Sequence, residues 1–174
     1  LRLVQTNLRE ADATADLDAL VERLDDLGAN AWLLNTGGVC AFYPTDLAYH
    51  RESPHLEGDL VGDAVEKCRD HGVRLVSRFD FSKVHEDVAA ERPGWLYRDP
   101  DGNAVNYDGM VHTCVNGGYQ REHAREILGE VLSRYPIDGV FFNMFGYQEH
   151  DYDGNYHGPC HCANCRERFR ERHG

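Results

Sequence analysis

The 174-residue chain has no run approaching the ~18 consecutive apolar residues that a membrane span requires. It has no surplus of positive charge either. Lys and Arg total 18 against 30 Asp and Glu, a formal net charge of -12 at pH 7. Nucleic acids and anionic lipid surfaces attract basic patches, so neither is expected as a partner. No basic-then-apolar leader opens the sequence, which sets a cytoplasmic location as the expectation. Leu1 opens directly into an apolar run, so a chain trimmed at its start is expected. No G-x-G-x-x-G follows the first strand-like run, which removes support for a dinucleotide-binding fold. The six cysteines are not spread as a disulfide scaffold would spread them.

What is present reads as a soluble globular domain, 41% apolar and 28% charged, long enough for a sizeable core. Residues 1–6 (L-R-L-V-Q-T) form a short strand-like run. Asp16 to Leu27 carries Leu17, Leu20, Val21, Leu24 and Leu27 at helical spacing and stops at Gly28. Ala31 to Leu34 (A-W-L-L) is a second strand. Asp59 to His71 is a second helix, with Leu60, Val61, Ala64, Val65 and Cys68 on one face and Gly72 as its stop. Val73 to Phe79 is a third strand. Gln120 to Tyr135 is a third helix, striped by Ala124, Ile127, Leu128, Val131, Leu132 and Tyr135 and ended by Pro136. Ile137 to Phe142 is a fourth strand, and Cys165 to His173 a short final helix.

Strands separated by amphipathic helices cannot pair through tight hairpins, so this order predicts a parallel sheet covered by helices. Two closures satisfy it, an open doubly wound sheet or part of a (β/α)8 TIM barrel. The polar residues gather in the loops after the strands: Asn7, Arg9 and Glu10, then Asn35 to Cys40, then Asp80 to His85, then Asn143 onward. Barrel enzymes build their sites at that end, so the barrel is the expected fold. A full barrel takes ~250 residues and eight βα units. This chain supplies about the first four. Residues 1–174 are therefore expected to be the N-terminal part of a barrel, completed by the remainder of its own longer chain or by a second copy. Residues 93–103 (P-G-W-L-Y-R-D-P-D-G-N) read as a hairpin excursion around the D-P-D-G turn.

Cys160, Cys162 and Cys165 form a C-x-C-x-x-C cluster in the loop of residues 147–165, too close together to pair readily as disulfides. Zinc takes four ligands in a tetrahedron, and thiolates at this spacing supply three with little loop-closure cost. Cys114, Cys40, Cys68, His157 and His161 are candidates for the fourth. Cys68 lies on an apolar helix face and reads as a small buried hydrophobe. Cys114, in a loop expected at the same end of the sheet as the cluster, is the choice. Four thiolates leave no open position, so this Zn2+ is expected to be structural and to pin the loop.

Three segments taken together, C-V-N-G-G-Y (114–119), D-G-V-F-F-N-M-F-G (138–146) and C-H-C-A-N-C-R-E-R-F (160–169), resemble barrel glycoside hydrolases. They are similar to the zinc-bearing β-galactosidases of glycoside hydrolase family 42. More closely, the whole chain resembles the hypothetical glycosyl hydrolase family 6, itself similar to α-L-fucosidases and β-galactosidases and often joined to a trimerisation domain. The resemblance implies a carbohydrate substrate, a galactoside or fucoside, and a fragment of a longer glycosidase. The incomplete barrel leaves two expected partners, a second copy in a homo-oligomer or the remainder of the same longer chain. One departure stands out. The family 42 pattern ends its fourth strand in Asn-Glu, the glutamate being the general acid/base, and here Asn143 is followed by Met144. A thioether cannot carry a catalytic proton.

Within that frame Asp80, just past the third strand, and Glu149, the glutamate nearest the vacated position, are the expected catalytic carboxylates. Asn143, Asn35, Arg78 and His85 are expected to bind sugar hydroxyls, and Tyr43 and Trp95 to stack on pyranose faces. Tyr147 is a further stacking candidate. Asp151 and Asp153 read as a solvated face, and Asp138 as a turn or structural contact. Two alternatives stand beside the glycosidase: a carbohydrate-binding or scaffold barrel without catalysis, which Met144 favours, and a hydrolase whose metal is itself catalytic.

Overall fold

The computed structural model describes residues 1–174. Its strands and helices, in chain order, are β1 (Leu3–Gln5), α1 (Leu17–Asp26), β2 (Ala31–Gly38), α2 (Leu60–Asp70), β3 (Arg74–Asp80), β4 (Lys83–His85), α3 (Glu86–Glu91), β5 (Asn106–Tyr107), β6 (Met110–His112), α4 (Ala124–Arg134), β7 (Gly139–Asn143) and α5 (Ala163–His173). Short 3₁₀ turns occupy Glu10–Thr14 and Pro93–Trp95, and a π turn, Tyr119–His123, leads into α4. The chain divides into two units. One holds Leu1–Phe79 and Ile127–Phe142, the other Asp80–Glu126 and Asn143–Gly174.

The first unit is a mixed α/β arrangement on a four-stranded sheet ordered β1-β2-β3-β7. β1 runs parallel to β2, with Leu3 opposite Ala31 and Gln5 opposite Leu33. The expected helices form for the expected reasons. Asp16 caps α1 by accepting the Ala19 N–H at 3.0 Å, and Leu17, Val21 and Leu24 are buried. Asp59 caps α2 through the Gly62 N–H at 2.9 Å, and its other oxygen accepts the Tyr135 hydroxyl at 2.7 Å. Both helices stop at a left-handed glycine, Gly28 (φ 60°) and Gly72 (φ 67°), a conformation that costs a residue with a Cβ about 1–2 kcal/mol. Trp32, Leu34, Val61, Leu75, Ile127 and Val131 form the core of this unit.

Three features differ from expectation. β2 continues four residues beyond A-W-L-L to Gly38, so Asn35 lies in a strand and not in a loop. N-T-G-G has the composition of a turn, but the Thr36 side chain is fully buried and its hydroxyl donates to the Leu34 carbonyl at 3.2 Å. Leu27 and Leu132 are exposed because Leu27 falls past the last turn of α1 and Leu132 faces away from the buried stripe of α4. β7, an edge of the sheet, leaves Val140, Phe141 and Phe142 37%, 43% and 44% exposed.

The second unit carries a three-stranded antiparallel sheet ordered β4-β6-β5 that periodicity did not reveal. Lys83 pairs with His112 and Val84 with Val111, while Asn106 pairs with Val111. The D-P-D-G turn expected in residues 93–103 is present. The Asp99 N–H reaches the Asn103 carbonyl at 3.0 Å, and an antiparallel bridge joins Arg98 to Ala104. The true two-stranded hairpin lies later, at Asp108 (φ 50°) and Gly109 (φ 78°), where D-G supplies the paired positive φ angles of a tight turn. α5 starts at Ala163 with Cys162 as its N-cap, two residues before the expected Cys165, and buries none of its residues. No helix is long and apolar enough to cross a membrane.

Candidate functional site

All of the cysteine cluster belongs to the second unit. The Cys114 backbone is fixed first, its N–H donating to the Trp95 carbonyl at 2.8 Å and its carbonyl accepting from Gly117 at 2.8 Å. Gly117 is required there, since a Cβ would stand 2.8 Å from the Trp95 oxygen. On the other side Tyr97 donates its hydroxyl to the Gly158 carbonyl, and the His161 N–H reaches the Arg98 carbonyl at 2.8 Å. These bonds hold residues 158–161 against the chain around Tyr97, so Cys160 and Cys162 are buried beside Cys114.

The sulfurs of Cys114, Cys160, Cys162 and Cys165 all lie within 4.8 Å of one another, the closest pair being Cys114 and Cys165 at 3.3 Å among the contacts made. A tetrahedral ion with ~2.3 Å metal–sulfur bonds sets its sulfurs about 3.8 Å apart, so the set fits a metal ion. Hydrogen bonds with Cys114 and Cys160 hold the Cys162 thiol well below the usual thiol range, while those with Cys160 and Cys162 push Cys114 far above it. Four thiols this close cannot all ionise without a counter-charge, which a divalent ion would supply. The Asn116 amide and N–H donate to Cys165 and Cys114, both at 3.3 Å, and further orient the sulfurs. Cys40 and Cys68, the rejected candidates, are buried and lie outside the cluster. Burial raises their thiols to about 12 and about 11.

A second polar group gathers where β3 and β7 end. Asp80 Oδ1 accepts the Ser82 N–H at 3.0 Å and the Ser82 hydroxyl at 2.5 Å, and Asp80 Oδ2 accepts the Asn143 amide at 2.8 Å. The next residue, Met144, has φ 47°, a left-handed conformation uncommon for a side chain of this kind. Its sulfur lies 3.9 Å from Lys83 Nζ and 3.4 Å from the Tyr152 hydroxyl.

Glu149 lines a cleft of about 620 Å³ together with Tyr147, Cys160, His161, Cys165, Arg166 and Phe169. His85 caps the start of α3 without a capping bond from its side chain. Trp95 is 6% exposed and stacks on Tyr119 with ring centroids 4.8 Å apart, so its faces are already covered. The other sequence candidates belong to the first unit. Tyr43 is fully buried and donates its hydroxyl to Glu130 at 2.8 Å. Asn35 donates to the Leu8 carbonyl at 3.1 Å, and its buried Oδ1 has no partner. Arg78 is 9% exposed with a buried, unpartnered Nε. Asp138 makes the structural contact expected of it, accepting the Leu75 N–H at 2.8 Å.

The structure places Asp80 and Asn143 in one unit with the four cysteines, and Tyr43, Asn35 and Arg78, expected at the same site, in the other. Sequence reasoning passed over Lys83 and Tyr152. A lone lysine in F-S-K-V-H gave no periodic signal, although its alternation with Val84 was the available cue to β4.

The family model of hypothetical glycosyl hydrolase 6 matches residues 16–144. Among characterised relatives, β-galactosidase Bga of Halorubrum lacusprofundi is 27% identical over 113 residues, which is 64% of this chain and 16% of that protein. β-Galactosidase BglY of Alicyclobacillus acidocaldarius is 26% identical over 113 residues, 65% of this chain and 16% of that one. Among solved structures, α-L-fucosidase isoenzyme 2 from Paenibacillus thiaminolyticus superposes with a TM-score of 0.75 at 22% identity, covering 98% of this chain and 26% of the other. The maltogenic α-amylase AmyB from Thermotoga neapolitana has a TM-score of 0.59 at 17% identity over 85% of this chain and 40% of its own. The chain spans about a sixth of the galactosidases it matches.

Proposed function

The chain belongs to the hypothetical glycosyl hydrolase 6 family, and from that premise we propose that it forms the first four βα units of a (β/α)8 barrel in a glycoside hydrolase acting on a galactoside or fucoside. The strand order supports the barrel. Strands that neighbour one another in the order of their βα units are what a closing barrel needs, whereas a doubly wound sheet reverses order at a switch point. The exposed apolar edge at Val140–Phe142 fits a strand that the next unit would cover. The rest of a longer polypeptide, or a second copy in a homo-oligomer, would supply that unit.

The observation that carries the activity is the Asp80–Asn143 pair. A carboxylate held by a neighbouring strand's amide, at the ends of β3 and β7, is suited to grip a sugar hydroxyl or move a proton beside the scissile bond. Glu149, in the loop that the cysteines pin, is the proposed second carboxylate. Asn143 and His85 remain the proposed contacts to sugar hydroxyls. Tyr43 and Trp95 are assigned to packing, because neither offers a free face. The four cysteines would hold a zinc ion, which supplies cross-linking charge and no chemistry on the sugar, all four positions being filled by sulfur.

Met144 favours one second reading, a carbohydrate-binding barrel without turnover. The full-length protein assayed on nitrophenyl galactosides and fucosides separates the two. Turnover is expected, with Asp80→Asn and Glu149→Gln each lowering kcat roughly 10²–10⁴-fold. Undiminished turnover in both variants would remove these two residues from the mechanism, and sugar binding without turnover would establish the second reading.

A further inference from the structure

Lys83 is the most deeply buried lysine or arginine of the second unit, at 5% exposure, and no carboxylate pairs with it. Three other cations of the chain are paired and more exposed: Lys67 with Asp18, Arg51 with Glu10, and Arg134 with Asp46 and Glu130. The Lys83 ammonium has three donors. One reaches the Tyr152 hydroxyl at 2.8 Å, and another lies 3.9 Å from the Met144 sulfur, a weak acceptor. The Tyr152 ring covers the charge, its centroid 4.4 Å from Nζ. Every one of these partners is neutral. His112, directly across the strand pair from Lys83, is an imidazole and offers it no carboxylate.

A buried ammonium normally has an anionic partner because its desolvation is otherwise uncompensated. Here the partner is missing at the ends of β3 and β7, close to Met144, the residue that follows Asn143. Tyr152, whose hydroxyl accepts from the ammonium, is itself well exposed. Tyr152 stands in a braced loop, where Asp151 accepts from the Asp153 N–H at 3.0 Å, the Asn155 N–H at 2.9 Å and His157 at 3.0 Å. Rotation of the Tyr152 side chain, at the expense of its ring contact with Tyr107 at 5.5 Å, would let a ligand oxygen take the place of the hydroxyl.

We propose that Lys83 is the anion-binding group of the carbohydrate site and selects a sugar that carries a carboxylate, a hexuronate-type glycoside. The inference rests on the carbohydrate reading above and deepens it. The carboxylate would take up the Lys83 donors and restore the missing counter-charge, while the hydroxyls of the same ring fall to Asp80 and Asn143. A charge-assisted bond of this type changes affinity roughly ten- to hundredfold.

Calorimetric titration of the full-length protein with galacturonate, galactose and acetate tests it. Galacturonate is expected to bind roughly ten- to hundredfold more tightly than galactose, and acetate far more weakly than galacturonate. Lys83→Met should abolish the preference, and Lys83→Arg should keep it. Galactose bound as tightly as galacturonate would overturn the inference and leave the carbohydrate reading standing. Acetate matching galacturonate would also overturn it, by showing a bare carboxylate site. Binding of neither sugar would overturn both readings. The wild-type comparison needs no variant, so a misfolded Lys83→Met protein leaves the test intact.

Discussion

The two units of this chain are held together by different physics. The first is a sheet-and-helix layer whose cohesion comes from apolar burial, with Trp32, Val61, Ile127 and Val131 removed from water and acidic caps at both leading helices. The second has strands of two or three residues and a final helix with no buried face. Its fixed points are four converging thiols and a set of side-chain-to-backbone bonds around Tyr97, Asp99 and Asp151. A layer of the first kind tolerates loss of one bond. A loop region of the second kind depends on each tie, because little apolar area backs it.

That contrast can be broken most severely at the cluster. Cys162→Ser in the full-length protein should abolish metal retention, withdrawing a binding free energy on the order of 10 kcal/mol, and should open residues 147–165 to proteolysis while the first unit keeps its protection. Ile127→Ala should do the reverse, costing about 2–5 kcal/mol in the first unit with metal content unchanged. Elemental analysis and limited proteolysis of both variants read the difference directly, and a Cys162→Ser protein that retains its metal would erase the distinction.

A smaller effect sharpens the comparison by pH. His50, buried in the first unit, accepts the Gly38 N–H at 3.1 Å through Nε2 and has its pKa lowered from 6.5 to about 4 by burial. The unfolded chain protonates this ring below about 6.5 and the folded chain resists until about 4. Stability is therefore full above 6.5 and declines as pH falls through that window, by up to about 3 kcal/mol. Glu130 adds a further loss at lower pH, below the ordinary glutamate value of 4.5. Burial works to raise its pKa, but bonds from Thr45, the Asp46 N–H and Tyr43 outweigh it and hold the carboxyl below the usual range. Denaturant melts at pH 7 and pH 4.5, with His50→Gln flattening the difference, check the assignment.

The same contrast explains what could be read from the sequence. Periodicity over ten or more residues revealed α1, α2 and α4 with their stops, because a long apolar stripe leaves a repeated mark. β4, β5 and β6 are too short to leave one, and β2 ran on through N-T-G-G because pairing within the sheet overrode local turn chemistry. The four cysteines were legible because metal ligands come as a residue type at a fixed spacing. Tyr43 and Trp95 illustrate the opposite case. An aromatic in a loop has no spacing from which its burial follows, and both turned out to be covered. Lys83 and Tyr152 meet across 69 residues, a separation at which sequence alone carries no pairing signal.

The claim on which the site description leans hardest is the metal. X-ray absorption at the zinc edge, on full-length protein purified without chelator, should show four sulfur neighbours at ~2.3 Å and no lighter ligand. A metal-free protein with the same melting behaviour, or a first shell containing nitrogen or oxygen, would contradict it.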